Sequence, residues 1–99
     1  MNSVIDYPFK YAHVDADAQV CARACILHTI VVNGLTTAGD ATVYDNTAGS
    51  GSVIAVLHLD VATSISVQPI TLTYDCECAT GLYIDFDATL VADLTVTYK

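Results

Sequence analysis

Four cysteines, at positions 21, 25, 76 and 78, are the residues whose type and spacing most invite chemistry in this chain. A Cys-x3-Cys pair and a Cys-x-Cys pair could together offer four thiolates to a structural zinc ion. The spacing suits zinc poorly, because knuckles generally place two residues between ligands. Cys-x-Cys on a strand instead sets both sulfurs on one face, about 6–7 Å apart. Disulfides are the competing use. If residues 22–24 form a turn, Cys21 and Cys25 face each other at bridging distance. Cys76 and Cys78 cannot comfortably pair with each other on an extended strand. One regular ladder cannot carry both Cys21–Cys78 and Cys25–Cys76, whose registers differ by two, without a bulge. The third use is four reduced, buried thiols acting as small hydrophobes. Disulfides within or between chains, structural thiols and a four-cysteine metal site therefore all stand at this point.

The other reactive types are scattered. His13, His28 and His58 lie far apart, and His28, three residues after Cys25, falls on the opposite face of a strand from it. The histidines are thus expected in the core or on the surface rather than as ligands. Asp85 and Asp87, with Asp93 nearby, could hold calcium or act as paired carboxylates. A solvated face is the plainer meaning, as it is for Asp15 and Asp17. The chain has no nucleophile elbow, phosphate-binding loop, dinucleotide fingerprint or His-Glu-x-x-His motif. No catalytic activity, cofactor or metal is expected.

The elements that must position these residues follow from composition. Val, Ile, Thr and Tyr abound, whereas Glu77, Met1 and Arg23 are single examples of their kinds. That bias favours pleated, half-buried sheets over helix surfaces. Short strand signals recur at Ala18–Val20, Cys25–Asn33, Thr42–Tyr44 and Val53–Leu59. Later strands alternate: Leu72, Tyr74, Cys76 and Cys78 share a face, then Leu82, Ile84 and Phe86, then Leu94, Val96 and Tyr98. Within Cys25–Asn33, Ile26, Ile30 and Val32 are expected on one face and Leu27 and Val31 on the other, with Asn33-Gly34 as a turn. The turn-rich stretch 45–51 joins two strands as a hairpin. The expectation is an all-β, antiparallel β-sandwich of about eight short strands, jelly-roll-like. Residues 1–14 are expected to form an extended N-terminal arm and residues 15–99 the sandwich domain. Tyr7, Pro8, Phe9 and Tyr11 on the arm are the expected subunit contacts.

Charge restricts the partners. Charged residues make up 14% of the 99 residues and apolar ones 54%, against about 25% charged in ordinary soluble domains. So few charges favour broad contact surfaces, and hence oligomerisation or docking onto a larger assembly. A net charge of −8, with only Lys10, Arg23 and Lys99 as permanent cations, argues against nucleic acid as the partner. Ala24–Val32 is too short to span a bilayer and carries His28. The first twenty residues lack a signal-peptide core, so manufacture without export is expected.

The stretches DADAQV (15–20), CILHTIVVNG (25–34), VYDNTAGSGSVIAVL (43–57), YDCECATGLYIDF (74–86) and DLTVTYK (93–99) resemble small head proteins of tailed bacteriophages, the capsid decoration or cement proteins. Cys21, Cys76 and Cys78 are not part of that pattern. The resemblance implies a β-sandwich bound outside an icosahedral shell, a homo-oligomer with a trimer favoured, and the major capsid protein as partner. It implies a virion location after synthesis in the host cytoplasm, and no catalytic residues. The alternative from the residues is a virion-surface or tail-fibre module binding a carbohydrate or receptor, with Tyr7, Tyr11, Tyr44 and Tyr83 as candidate contacts.

Overall fold

Strict alternation along a strand buries every second side chain, and an irregularity in the ladder is needed to exchange the faces. Both occur here. The computed structural model describes residues 9–60 and 69–99, which hold eight strands: β1 (Lys10–Val14), β2 (Ala18–Cys21), β3 (Cys25–Thr37), β4 (Gly39–Asp45), β5 (Ser52–Leu59), β6 (Ile70–Cys78), β7 (Leu82–Phe86) and β8 (Val91–Tyr98). They form two four-stranded sheets, β1-β8-β3-β6 and β2-β7-β4-β5. Every pairing is antiparallel. The fold is the all-β, two-sheet antiparallel sandwich that the composition predicts.

The pairing follows one rule. β4 pairs with β5, β3 with β6, β2 with β7 and β1 with β8, so strand n meets strand 9 − n. The chain is in effect one long hairpin folded at the 46–51 loop. Its successive rungs fall alternately in the two sheets. Contacts β3–β8 and β4–β7 then close each sheet.

Between the sheets lie Leu27, Ile30, Val32, Leu94 and Val96 from one side and Ala41, Val43, Leu82 and Ile84 from the other, all 0–1% exposed. Each such Val, Leu or Ile side chain contributes roughly 1.5–3 kcal/mol by leaving water. Threonines Thr29 and Thr97 face each other on the outer side of the first sheet, their hydroxyls 2.6 Å apart. This is a cross-strand polar pair of the kind that steadies register.

Two sequence expectations need correction. In β3, Ile26 does not share a face with Ile30 and Val32: it is 44% exposed while they are buried. The ladder slips between Leu27 and Thr29, so His28 is an extra residue relative to β8, and the inward set changes from Cys25 and Leu27 to Ile30 and Val32. Nor is Asn33-Gly34 a turn. β3 runs on to Thr37, and the pair sits at a second register slip opposite Asp93 and Leu94. There the Asn33 amide donates to Asp93 Oδ1 (3.0 Å) and Thr95 Oγ1 (2.8 Å). The amide thus finds its partners across the ladder rather than within a turn.

The boundary of the arm also shifts. Residues 10–14 are strand β1, paired with β8 from Lys10↔Tyr98 to Val14↔Leu94, and Val14 is in the core. Of the rest of the expected arm, Phe9 directly precedes β1 and residues 1–8 lie outside the described residues.

Candidate functional site

Three of the four cysteines converge at one end of the sandwich. Cys21 closes β2, Cys25 opens β3 after residues 22–24, and Cys78 closes β6. All three are buried, and Cys76, two residues before Cys78 on the same face, is half-buried. The register places Cys25 directly opposite Cys78 and Leu27 opposite Cys76. The Cys21 thiol donates to the carbonyl of Arg23 at 3.3 Å. Burial, followed by the hydrogen bond and charge of Cys21 and then the presence of Cys78, pushes the Cys25 pKa up to about 12. Burial and the neighbouring Cys76 also raise Cys78. These are thiols held protonated, the opposite of an activated nucleophile. Among the described residues no group of three or more His, Cys, Asp or Glu side chains is arranged to hold a metal ion, which leaves the four-cysteine metal alternative without geometric support.

The differing access gives a direct prediction. At pH 7.5 (roughly one unit below an ordinary thiol pKa) iodoacetamide should label Cys76 first, with Cys21, Cys25 and Cys78 reacting only as the fold opens. Peptide mapping over time checks this.

All three histidines are bound to aspartates on the neighbouring strand. His13 Nε2 meets Asp93 Oδ1 at 3.0 Å, joining β1 to β8. His58 Nδ1 meets Asp40 Oδ1 at 2.9 Å, joining β5 to β4. His28 Nδ1 pairs with Asp75 Oδ1, joining β3 to β6. Three of the four edge strands are thus tied to their inner neighbour by one His–Asp pair each. Asp75 sits in the ladder irregularity with φ of 49°, a left-handed conformation that Asp tolerates better than most residues. Phe9 stacks on the His28 ring, centroids 4.2 Å apart and planes 8° from parallel. Lys99 Nζ lies 5.8 Å from the centroid of that phenyl ring. Of the expected subunit contacts, Phe9 is thus engaged by its own domain, Tyr11 stands 76% exposed on β1, and Tyr7 and Pro8 lie outside the described residues.

The acidic residues do not act as a matched set. Asp87 follows the end of β7 and collects backbone N–H groups: Asp40 at 2.7 Å, Leu90 at 2.8 Å and Thr89 at 3.0 Å. Asp45, ending β4, does the same for Thr80 at 2.9 Å, Ala79 at 3.0 Å and Gly81 at 3.3 Å. These donors hold both carboxyls below the usual carboxylate range. Asp93 belongs to the other sheet and is lowered by His13 and Asn33. Asp85 is raised, by burial and then by Asp17, while Asp17 accepts from Phe86 N–H at 2.7 Å. Asp15, Asp17 and Asp87 line an open acidic groove with Phe86 and Leu90. Sequence reasoning missed both: the local bonds of Asp87 to Thr89 and Leu90 follow the Asx-turn chemistry an Asp offers after a strand, whereas the donors to Asp45 lie far along the chain and leave no local signal.

Opposite signs follow for stability. A carboxyl whose folded pKa is lowered stabilises above its unfolded value of about 3.9, and that contribution is lost as pH falls through the folded value. Asp87→Asn should therefore lower the melting temperature at pH 7 by several degrees, the deficit shrinking towards pH 3. Asp85, whose folded pKa is raised, costs stability once ionised, so Asp85→Asn should leave the melting temperature unchanged or higher at pH 7. His13, raised by Asp93, contributes below about pH 6.5 and ceases to as pH rises through its folded value. Thermal melts of the two variants across pH 3–8 (about the span of these reference pKa values) test both carboxyl predictions.

Among the described residues the sandwich is open along one side. Between edge strands β5 and β6 lies a groove of about 470 Å³, lined by Val32, Val56, Leu59, Ile70, Leu72 and Tyr74. The inward-facing residues of β6 from Ile70 to Cys76 are only half-buried. Val53 and Val56 on β5 are more than 40% exposed. Tyr44 and Tyr83, two of the candidate sugar contacts, are register partners across β4 and β7 and half-buried. No family model, curated protein or solved structure matches the chain.

Proposed function

We propose that this chain is a non-catalytic structural protein of a phage virion, a cement protein that binds the outside of the head and ties neighbouring capsid subunits together. The observation that carries the reading is the pairing of strand n with strand 9 − n across two sheets. We take it as a jelly roll, the architecture of viral capsid and lectin domains. Fold alone does not choose among functions, so three surface properties are added. The open apolar groove and the exposed valines of β5 suit a broad contact. The scarcity of charge lowers the desolvation cost of such a contact. The net charge of −8 suits a position away from packaged nucleic acid.

In this role the partner is the major capsid protein, and the protein acts as a homo-oligomer, a trimer in the favoured form. Each bound copy stabilises the assembled shell by mass action. Shells stripped of the protein and challenged with heat and low salt should disassemble at milder conditions than complete ones, and re-addition should restore them. Equal resistance of the two would remove the cementing role. The lectin use of the same architecture gives the second reading, a surface carbohydrate binder, with the exposed ring of Tyr11 as its contact. A glycan array bound through Tyr11 and lost in Tyr11→Ala would favour it.

A further inference from the structure

Among the described residues the β6 edge strand is paired on one side only, by β3. At the end of that ladder Cys25 and Cys78 are direct partners, 5% and 0% exposed. Antiparallel partners stand about 4.5–5.5 Å apart, Cα to Cα, inside the roughly 4.4–6.8 Å that a disulfide spans. Both side chains belong to the same buried core at that end of the sandwich. The Cys21 thiol donates to the Arg23 carbonyl within its own turn. Cys76 is opposite Leu27 and has no cysteine across from it.

We propose that Cys25 and Cys78 are the site of a single intrachain disulfide, formed by exchange with a low-molecular-weight disulfide. One cysteine thiolate attacks a sulfur of the small disulfide and expels a small thiolate, leaving a mixed disulfide. The second cysteine thiolate then attacks the protein sulfur of that mixed disulfide and expels the other small thiolate. The protons given up by the two cysteines pass to the two departing thiolates. In balance, two protein thiols and one small disulfide become one protein disulfide and two small thiols, the protein being oxidised by two electrons. Because both thiols are buried and protonated, the exchange is slow in the closed domain and proceeds as the β6 edge opens. Once made, the bond fastens β6, and with it the lip of the apolar groove, to the centre of its sheet. It does not depend on the cement reading.

The test is to incubate reduced, full-length protein with oxidised glutathione, block the remaining thiols and map the peptides without reduction. The expected product is a Cys25–Cys78 linked peptide, with the intact mass lower by two hydrogens and Cys21 and Cys76 blocked. The melting temperature should rise by on the order of ten degrees and fall back on reduction. Cys76→Ser should form the same bond, and neither Cys78→Ser nor Cys78→Ala should show the rise. A Cys21–Cys25 bridge, a bridge between chains, a lasting mixed disulfide or four unmodified thiols in the wild-type protein would each overturn the assignment, and the wild-type mapping stands whether or not the variants fold.

Discussion

Ile84→Ala should destabilise the domain by about 2–5 kcal/mol, the usual range for an aliphatic core truncation. Ile84 is fully buried at the middle of β7, opposite Ala18 of β2 and Val43 of β4. The loss comprises the transfer free energy of the removed carbons and a cavity that its neighbours fill incompletely. Ala18 and Ala41 are already small and have nothing to extend. A domain of this size holds about 5–15 kcal/mol in all, so the variant should melt well over ten degrees lower or fail to accumulate folded. Ile26→Ala makes the matching comparison. It removes a large apolar residue from the same fold, but one that is 44% exposed, and it should cost well under half as much. Denaturant titration of both variants, read as the shift in midpoint at constant slope, gives the two values on one scale.

Gly39→Ala is expected to be the other large loss, by collision rather than by cavity. Gly39 opens β4 directly after the chain has crossed from one sheet to the other at Ala38. A Cβ there would stand 2.6 Å from Asp87 Oδ1 and 2.8 Å from both Cα and Cβ of Leu90. The Leu90 Cα is backbone and cannot swing away. Moving Asp87 would disturb the N–H groups of Asp40, Thr89 and Leu90 that it holds. Overpacking of this kind costs roughly 1–3 kcal/mol or more. Gly34→Ala is the control, since a Cβ at that position meets nothing within 4 Å. It should be neutral or slightly stabilising, because alanine loses less backbone entropy in a strand than glycine does. Two identical substitutions, one within β3 and one opening β4, should therefore differ clearly in melting temperature.

Much of the architecture was legible because it rests on short-range regularity. Alternation in β6, β7 and β8 identified their inward faces, and the 45–51 stretch identified the hairpin. β1 escaped notice because only Val14 of its five residues is buried, which leaves no apolar stripe to see. The face of Ile26 was misjudged because nothing local marks His28 as an extra residue. The slip is set by β6 and β8, which lie far along the chain. Asn33-Gly34 carries the chemistry of a turn, yet tertiary pairing with β8 outweighs it. The cysteines show the same division. The turn bringing Cys21 to Cys25 could be read from spacing, whereas the pairing of Cys25 with Cys78 exists only through the β3–β6 register. The His–Asp pairs were invisible for that reason too.

The proposed place of this sandwich on a virion exterior can be checked by an electron-microscopy map of the parent particle. Density for the two four-stranded sheets is expected in many symmetry-related copies on the outside of the head, bridging capsid subunits, with the β5–β6 groove or its flanking valines in the contact. Finding the chain only on the tail, inside the shell beside the nucleic acid, or absent from the particle would contradict it.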